Sequence, residues 1–445
     1  MLAAQKQGLI NNGFRIAVHF SGKVFQCKRS ACHEQMANTT GSPARHAPQL
    51  ASRAALTYTI WIMAALTAAP EPYLLSSARC MMAGNTFGRA LRLTTFGESH
   101  GPGLGGIIDG CPAGLELTEA QIQAELDRRK PGQGPTATKR RESDTVRLLS
   151  GVHEGLTTGT PIAFFIANED QRSHDYGNLA EIFRPGHADW GYFQKYNGLR
   201  DHRGGGRSSG RETAARVAGG VIAKKILARR GVKILGGCVE LGGVAIPQWG
   251  LDMDGAALRP YCAAAPSVVS QWDTLVAAAR KAGETLGGIV RIEARNVPAG
   301  LGEPVFDKLE ATLAHAIMSV GAVKGIEIGE GFAAAALRGS QNNDPLLPAD
   351  EPGPGKARFA SNHAGGILGG ISSGQDIILR AAVKPIASIA ITQNTVDKEG
   401  NAATVLIGGR HDLAAIPRVV PVLEAMTALA LADALLLQQR MGLGA

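Results

Sequence analysis

The sequence has few aromatic residues and no closely paired cysteines. Aromatic residues make up 5% of the 445 residues, which argues against a stacking platform for single-stranded nucleic acid. The apolar stretch 54–69 is shorter than the roughly 20 residues that a membrane span needs, and it lies too far in for a signal peptide. The six cysteines include no CxxC pair, which is compatible with a reducing compartment. We therefore expect a cytoplasmic protein that binds neither nucleic acid nor membrane.

Glycine, by contrast, is abundant, and the basic residues are unevenly spread. The 57 glycines are about twice the usual share of roughly 7%, and without a short repeat they indicate tight turns and close approaches of backbone to a ligand. Residues 1–81 hold eight lysines and arginines against two acidic residues, and so carry +6 of the formal net charge of +8. Residues 82–445 are therefore close to neutral, and their arginines should act locally rather than as a polyanion-binding surface.

Residues 1–81 differ from the rest of the chain. They show no sustained helical or strand period, and their basic, acid-poor composition is one mark of an organelle transit peptide. We favour the simpler interpretation that they are translated upstream of a true start at Met82, and in either case we expect them to be disordered or outside the fold. Cys27, Cys32 and His33 do not have a spacing typical of a metal site, so no metal is expected. Residues 82–445 contain no linker and are predicted to form one domain.

The rest of the chain alternates β-like runs with helical patterns, which predicts mixed α and β structure. Thr118 and Gln121 form a potential capping box at the start of a helix that stops at the Pro-Gly pair 131–132. Ser209 and Glu212 predict a second helix start of the same kind. Three further elements are predicted: a strand over 288–297, a helix over 304–319 with Val305, Leu309, Leu313 and Ile317 at four-residue spacing, and a buried helix over 419–440.

The segment 203–212, with the sequence RGGGRSSGRE, has the properties of an anion-binding loop. Its three consecutive glycines let backbone N–H groups converge, Ser208 and Ser209 offer hydroxyls, and the predicted helix start adds partial positive charge. Arg207 and Arg211 add full charges and forked hydrogen-bond donors. A flexible loop before a capped helix is the alternative, but the two arginines favour a phosphate site.

Two histidines and an aspartate are candidates for proton transfer. His100 lies in GESHG after a β-like run, His187 lies in the RPGHAD turn close to Arg184, and Asp412 lies in GGRHD at a glycine turn. Histidine titrates near neutral pH, and beside an arginine it can protonate a leaving oxyanion that the arginine holds. Each histidine motif alone is also compatible with a structural role.

Three other segments suit an anionic or planar ligand. The basic loop 128–144 has the glycine–proline framing of a loop that folds over a small anion, although charge runs are usually solvated and nucleic-acid phosphates are a possible partner. The glycine-packed loop 362–370 and the turn from Lys384 to Ser388 would let a planar ligand lie against backbone.

Taken in order, these segments resemble the chorismate synthase family over residues 82–441. The matching motifs are GESHG followed by GPGLG, RPGHAD, GGGRSSxRET, NHAGGILGGISSGQ, and GRHD before an apolar helix. The resemblance implies an α+β fold, a β-α-β sandwich with helices packed between antiparallel sheets, assembled as a homotetramer. It also implies an anti-1,4-elimination of phosphate from 5-enolpyruvylshikimate 3-phosphate to give chorismate, the last step of the shikimate pathway that leads to aromatic amino acids.

The resemblance further implies a cofactor and a set of site residues. The family needs reduced FMN (FMNH2) without net redox change, and a separate flavin reductase with NADPH as ultimate reductant would supply it. His100 would protonate or stabilise the reduced flavin, His187 would donate a proton as phosphate departs, and Asp412 would assist flavin N5 in taking the C6 proton. Substrate contacts are expected at Ser99, Arg129, Arg184 and Arg211. Flavin contacts are expected at Arg207, Ser208, Ser209, Gly321, Ala322, Gly369, Lys384, Pro385, Ile386, Ala387, Ser388 and Arg410.

Three positions depart from the family pattern. Pro135 stands where an arginine is usual, Gly210 where alanine is common, and Leu413 where proline is common. The residue at the position of Pro135 normally contacts anionic groups of the substrate or the nucleotide of the reductant, so this departure concerns affinity rather than reaction class. Nearby cations that could compensate are Lys139, Arg140 and Arg141.

Two other function classes stay open from the residues alone. An FMN-dependent oxidoreductase acting on a phosphorylated carboxylate would consume reduced flavin at each turnover. The absence of a GxGxxG fingerprint after a strand argues against a Rossmann-type reductase within the chain. A nucleic-acid binder that used the loop 128–141 would bind any duplex with steep salt dependence, which the near-neutral charge of residues 82–445 argues against.

Overall fold

The computed structural model describes residues 17–20, 23–26, 84–130, 134–137, 142–169, 179–351, 353, 355–408 and 411–441. Contacts between Cα atoms divide the chain into two units, Met1–Met81 and Met82–Ala445. The described residues of the first unit form an antiparallel hairpin of β1 (Ala17–Phe20) and β2 (Lys23–Gln26), which sequence analysis did not predict.

The described strands of the second unit belong to two five-stranded sheets and several short hairpins. In chain order they are β3 (Thr86–Phe87), β4 (Arg92–Gly97), β5 (Gly103–Asp109), β6 (Val146–Leu148), β7 (Val152–His153), β8 (Leu156–Thr157), β9 (Ile162–Ala167), β10 (Lys233–Leu241), β11 (Val244–Ala245), β12 (Gly288–Arg295), β13 (Val323–Ile328), β14 (Leu346–Pro348), β15 (Ala357–Phe359), β16 (Ile367–Leu368), β17 (Ile371–Ser372), β18 (Ile377–Val383), β19 (Gln393–Val396) and β20 (Ala402–Val405).

The described helices of this unit include one long helix at its C-terminal end. They are α1 (Glu119–Arg129), α2 (Asp189–Lys195), α3 (Thr213–Ala228), α4 (Val269–Ala282), α5 (Leu309–Met318), α6 (Gly339–Asn342) and α7 (Ile416–Arg440). Short 3-10 turns occupy Gly206–Ser208, Gly210–Glu212, Gln248–Gly250, Ala256–Leu258, Pro260–Cys262, Pro266–Val268 and Gly331–Ala336.

Both large sheets are antiparallel throughout. The first has the strand order β3-β4-β5-β9-β6 and the second has the order β11-β10-β12-β18-β13. In β9 the side chains of Ile162, Phe164 and Ile166 are buried and alternate with less buried neighbours, because successive side chains of a strand point to opposite faces. Strand β12 confirms the predicted strand over 288–297, ending two residues earlier.

Two helices connect these sheets through the core. Helix α3 packs against strands β4 and β5 of the first sheet, α7 packs against β10 and β12 of the second, and α3 and α7 pack against each other. Among the described residues α7 is the one helix long and apolar enough to span a membrane, but 94% of its apolar window is buried inside the protein. The prediction of a buried C-terminal helix is therefore confirmed, and the fold is α+β.

The start of α1 confirms the predicted capping box. The Thr118 hydroxyl accepts a hydrogen bond from the backbone N–H of Gln121, and the Gln121 side chain accepts one from the backbone N–H of Thr118. Two of the N–H groups that an α-helix leaves unpaired at its start are thereby satisfied.

The predicted start of the second helix is wrong by four residues. The Ser209 hydroxyl caps a 3-10 turn by accepting from the backbone N–H of Arg211 at 3.4 Å. The carboxylate of Glu212 accepts from the guanidinium of Arg216 at 3.0 Å instead of closing a capping box. Residues 210–212 form a 3-10 turn that leads directly into α3, which therefore begins at Thr213.

The predicted third helix is too long at its N-terminal end. Helix α5 begins at Leu309, where the backbone N–H pairs with the carbonyl of Gly370 at 2.8 Å. Leu309, Leu313 and Ile317 are buried as expected, but Val305 is 68% exposed. A contact with the turn between β16 and β17 therefore fixes where this helix starts.

Candidate active site

A cleft of about 930 Å³ collects most of the residues singled out in the sequence. It is bordered by the glycine-rich loop before α3, the RPGHAD turn, the turn before β13, the segment after β18 and the first turns of α7. Its lining includes these predicted site residues: Arg129, Arg184, His187, Arg207, Ser208, Ser209, Arg211, Gly321, Ala322, Lys384, Pro385, Ile386, Ala387, Ser388 and Asp412.

The cleft combines positive charge with an apolar wall. The apolar side chains of the lining include those of Phe87, Leu93, Val419, Val422 and Met426. Besides the predicted arginines and Lys384, the lining includes the cationic residues Arg216, Lys324 and Arg418, whereas its acidic residues are Glu142, Glu212 and Asp412. This excess of cations suits a ligand that carries several anionic groups.

Three of the predicted site residues that the structure describes are not among the residues that line this cleft. Ser99 and His100 are buried next to Gly204, which lines the cleft. Gly369 lies in the turn between β16 and β17, away from the cleft lining. Arg410 lies outside the described residues, as do Lys139, Arg140, Arg141 and the possible ligand cluster of Cys27, Cys32 and His33.

The glycine-rich loop is held against the first sheet by Arg207. Its guanidinium donates to the carbonyl of Gly97 at 3.1 Å, to the side-chain oxygen of Asn85 at 3.1 Å and to the hydroxyl of Thr95 at 2.8 Å. These internal bonds use donors that sequence analysis had reserved for a phosphate. In this structure Arg207 therefore anchors the loop, and it also lines the cleft where a flavin contact is expected.

His100 packs directly behind the same loop. Its Nδ1 lies 3.1 Å from the hydroxyl of Ser99, and a Cβ added at Gly204 would lie 2.4 Å from His100 Cε1. The side-chain amide of Asn168 donates to the carbonyls of Glu98 and Gly101 at 2.9 and 2.8 Å. Asn168 therefore fixes the backbone of the loop that carries His100. Position 204 requires glycine, because any larger side chain would collide with the imidazole of His100.

His187 is oriented by two neighbours. Its Nδ1 lies 3.0 Å from the carbonyl of Pro185, which can only accept, so we assign the Nδ1 proton to this bond. Its Nε2 lies 3.0 Å from the hydroxyl of Ser388. Burial, together with the charges of Arg184 and Lys384, lowers the pKa of His187 below its usual value. Nε2 is therefore the nitrogen that gains and loses a proton.

Arg184 is fixed by a buried aspartate. Its Nε and Nη2 atoms donate to the two carboxylate oxygens of Asp189, each at 2.8 Å, and Arg200 lies 3.5 Å from the same carboxylate. Burial by itself would raise the pKa of Asp189, but hydrogen bonds and positive charge from Arg184, with Arg200, hold it below its usual value. Asp189 therefore stays ionised and keeps the guanidinium in one orientation at the cleft.

Arg129 and Arg211 meet at a second buried aspartate. Arg129 Nη1 lies 2.6 Å from Asp144 Oδ2, and Arg211 Nη1 donates to Asp144 Oδ1. Arg211 Nε also donates to the side-chain oxygen of Asn168 at 2.9 Å. Although burial alone would raise the pKa of Asp144, the two guanidinium groups hold it below its usual value.

Comparisons with known proteins identify the family of this chain. The sequence model of the chorismate synthase family matches residues 91–436. The chain belongs to the chorismate synthase family. It is 90% identical over 363 residues to a protein named chorismate synthase from Desulfovibrio desulfuricans, covering 82% of this chain and 100% of that protein. It is 61% identical over 360 residues to one from Nitratidesulfovibrio vulgaris, covering 81% and 99% of the two chains.

A solved structure supports the same relationship. A crystal structure of a chorismate synthase superposes with a TM-score of 0.63 and 34% sequence identity, covering 80% of this chain and 93% of that chain. The family resemblance deduced from the five motifs is therefore confirmed.

Asp412, in the GRHD motif of the chorismate synthase family, is tied to a residue that sequence analysis missed. The Arg418 guanidinium donates to Asp412 Oδ2 and, at 3.2 Å, to the backbone carbonyl of Arg129. The backbone N–H of Leu413 donates to the carbonyl of Thr136 at 2.8 Å. The end of α1, the basic loop and the start of α7 are therefore joined beside Asp412. An arginine in the first turn of the helix after GRHD was the available signal.

Two of the three family departures, Pro135 and Gly210, are structurally accommodated. The carbonyl of Pro135 accepts a hydrogen bond from the guanidinium of Arg280 in α4. A Cβ added at Gly210 would meet no atom within 4 Å, so the alanine common in the chorismate synthase family would fit there. Sequence analysis gave no role to Asn168, which lies in no motif, nor to Asp189 and Asp144, which lie in the RPGHAD turn and the loop 128–144.

Proposed function

We propose that the cleft binds 5-enolpyruvylshikimate 3-phosphate and reduced FMN, and that the chain catalyses the anti-1,4-elimination of phosphate that gives chorismate. Membership of the family makes the chain a carbon–oxygen lyase of the shikimate pathway, which leads to aromatic amino acids. The observation that carries the proposal is that His187 and Asp412 line the same cleft as three buried arginines. Each of these arginines, Arg129, Arg184 and Arg211, is paired with a buried aspartate.

The residues of the cleft fit a flavin mononucleotide. The wall of Phe87, Leu93 and Met426 suits an apolar ring system, and Lys324 and Lys384 supply cations for a phosphate. A Cβ added at Gly321 would meet no atom within 4 Å, so there is open space beside that turn. When bound, reduced FMN supplies transient electron density that makes removal of the C6 hydrogen easier, without net redox change. We propose NADPH, acting through a separate flavin reductase, as the source of its electrons.

The side chains of this chain divide the work on the substrate. Arg129, Arg184 and Arg211 hold its phosphate and carboxylates, because forked donors match such anions. His187 donates a proton from Nε2 to the departing phosphate. Asp412, held by Arg418, takes part in removal of the C6 proton. His100, behind Gly204, keeps the glycine-rich loop and the reduced cofactor in their working arrangement.

The proposal extends to architecture and assembly. Helices α3 and α7 would form the inner layer of a β-α-β sandwich, since α3 packs on the first sheet and α7 on the second. We propose a cytoplasmic homotetramer, and the exposed side chains of Trp249, Leu258 and Phe306, each more than 90% exposed, offer apolar surface for contacts between copies. Residues 82–445 would be the catalytic unit and residues 1–81 an extension outside it.

The decisive test is anaerobic formation of chorismate from 5-enolpyruvylshikimate 3-phosphate. The full chain and a protein comprising residues 82–445 would each be assayed without flavin, with oxidised FMN and with dithionite-reduced FMN. We expect product only with reduced FMN, in many turnovers per flavin, from both proteins. Consumption of one reduced flavin per product would indicate the oxidoreductase alternative. No product from a folded protein that binds FMN would refute the proposed reaction.

The pKa of His187 predicts a specific pH dependence. A proton donor must be protonated, so activity through His187 falls as pH rises past its pKa. In the free enzyme that pKa is held below its ordinary value of about 6.5, so the descending limb of kcat/KM should lie below that pH. A bound phosphate dianion favours the protonated imidazole, so the limb of kcat should lie at higher pH.

Both pH profiles would be recorded with reduced FMN. The ionisation of the substrate phosphate, followed by 31P NMR, provides the correction to kcat/KM. The assignment of His187 as proton donor would be contradicted if the descending limbs of kcat and of corrected kcat/KM lay at the same pH. It would also be contradicted if neither quantity changed with pH in the acidic range.

A further inference from the structure

We propose that Asp144 is a positioning residue that fixes the guanidinium groups of Arg129 and Arg211 side by side, so that they act as one anion-binding pair. The inference rests on the proposed function in one respect, namely that an anionic group of the substrate contacts these two arginines. Asp144 itself is not among the residues lining the cleft, whereas both arginines are. Its role is therefore exerted through them.

The geometry gives each arginine its own half of the carboxylate. Oδ2 of Asp144 lies 2.6 Å from Arg129 Nη1, and Oδ1 accepts from Arg211 Nη1. The Nε atoms are fixed separately, that of Arg129 by the Thr213 hydroxyl at 3.2 Å and that of Arg211 by Asn168 at 2.9 Å. Two contacts on each guanidinium fix the orientation of its plane. A guanidinium has five N–H donors, so further donors are left for a ligand.

The three side chains come from distant parts of the fold. Arg129 is the last residue of α1, Arg211 lies in the 3-10 turn before α3, and Asp144 leads into β6. A single carboxylate thus joins two helix ends to the first sheet at the cleft. The two arginines that this carboxylate contacts both line the same cavity.

Charge makes the carboxylate necessary for this pairing. Asp144, Arg129 and Arg211 are 0%, 1% and 5% exposed. Two buried cations repel each other strongly where water does not screen them. Glu142 also lies 3.6 Å from Arg211, but Asp144 contacts both guanidinium groups, so without Asp144 they should no longer be held side by side. With Asp144 the triad keeps one net positive charge and a defined shape for an incoming anion.

The backbone of Asp144 makes a clean substitution possible. Its φ of 50° lies in the left-handed region, which asparagine tolerates better than most residues. Asp144→Asn should therefore keep the chain path and side-chain shape and remove only the charge. Asp144→Gly also tolerates this φ and leaves room in which formate can take the place of the carboxylate.

The test is steady-state kinetics of the full-length protein with reduced FMN. We expect Asp144→Asn to raise KM for 5-enolpyruvylshikimate 3-phosphate at least about 10-fold, with a smaller change in kcat and FMN affinity within about twofold, because truncating one partner of a buried charge pair acts on binding of the anion. In Asp144→Gly, added formate should restore KM, and it should have no such effect in the wild type. The matched control is Asp109→Asn, which removes a carboxylate from an exposed pair with Arg92 and should leave KM unchanged.

The possible outcomes separate this inference from the proposed function. Wild-type turnover with unchanged KM in folded Asp144→Asn would overturn the role of Asp144 and leave the proposed function standing, whereas an inactive wild type would refute the latter. If neither variant folds, a crystal structure of the wild type with inorganic phosphate decides. Both guanidiniums contacting the phosphate while bound to Asp144 would support the pair, and either one turned away would overturn it.

Discussion

Replacing His187 with alanine should lower anaerobic turnover at least about 100-fold, the lower range for loss of a general acid. The imidazole is held by the Pro185 carbonyl and the Ser388 hydroxyl, each at 3.0 Å. Its Nε2 thus stands at the cleft beside Arg184, where a departing phosphate would be bound. Alanine removes the only proton that we assign to this departure and leaves the other cleft residues in place.

The effect should fall on turnover and not on cofactor binding. FMN affinity, measured by flavin fluorescence, should stay within about twofold, since the flavin is expected to contact several other residues of the cleft. His153→Ala is the matched control, because His153 has a side chain 79% exposed in β7, outside the cleft lining. Near-wild-type turnover in His187→Ala, or an equal loss in His153→Ala, would exclude His187 as the proton donor.

Substituting Gly204 with alanine should also reduce turnover by about 100-fold, this time by displacing His100. The added Cβ would lie 2.4 Å from His100 Cε1, 2.7 Å from its Nδ1 and 3.1 Å from the Ser99 hydroxyl. Gly204 also has a φ of +61°, in which an L side chain is strained. The loop and the imidazole cannot both keep their positions, so the cleft and the proposed flavin site change together.

The neighbouring glycine at 210 provides a matched control. A Cβ at Gly210 would meet no atom within 4 Å, so Gly210→Ala makes the same chemical change in the same loop without a clash. We expect its turnover to stay within about twofold of the wild type, since open surface substitutions have small effects. Both variants would be compared by turnover, FMN affinity and melting temperature. Full activity in Gly204→Ala would mean that His100 does not act through this loop.

Much of the site could be predicted from the sequence because its motifs are local. The glycines of 203–212, the RPGHAD turn and the Lys384–Ser388 segment each carry their chemistry within a few residues. The structure places all three on one cleft. The capping box at Thr118 and the buried helix α7 were predictable for the same reason, since capping and apolar content are properties of neighbouring residues.

Other features needed partners that are remote in the chain. The third helix starts at Leu309, where the backbone N–H donates to the carbonyl of Gly370, 61 residues further along the chain. The guanidinium of Arg207 also donates to Gly97 and Thr95 of the first sheet and to Asn85 just before it, contacts that the loop sequence did not indicate. No spacing within a motif reports such contacts.

By itself, the sequence determined the family, the mixed α and β class, and which residues are candidates for the chemistry, because these depend on short motifs and local periodicity. Only the tertiary structure decided that Asp144 joins Arg129 and Arg211, that Asp189 holds Arg184, and that His100 stands behind Gly204. Buried charges need partners wherever the fold can supply them, and those partners come from segments that meet only when the two sheets pack around α3 and α7.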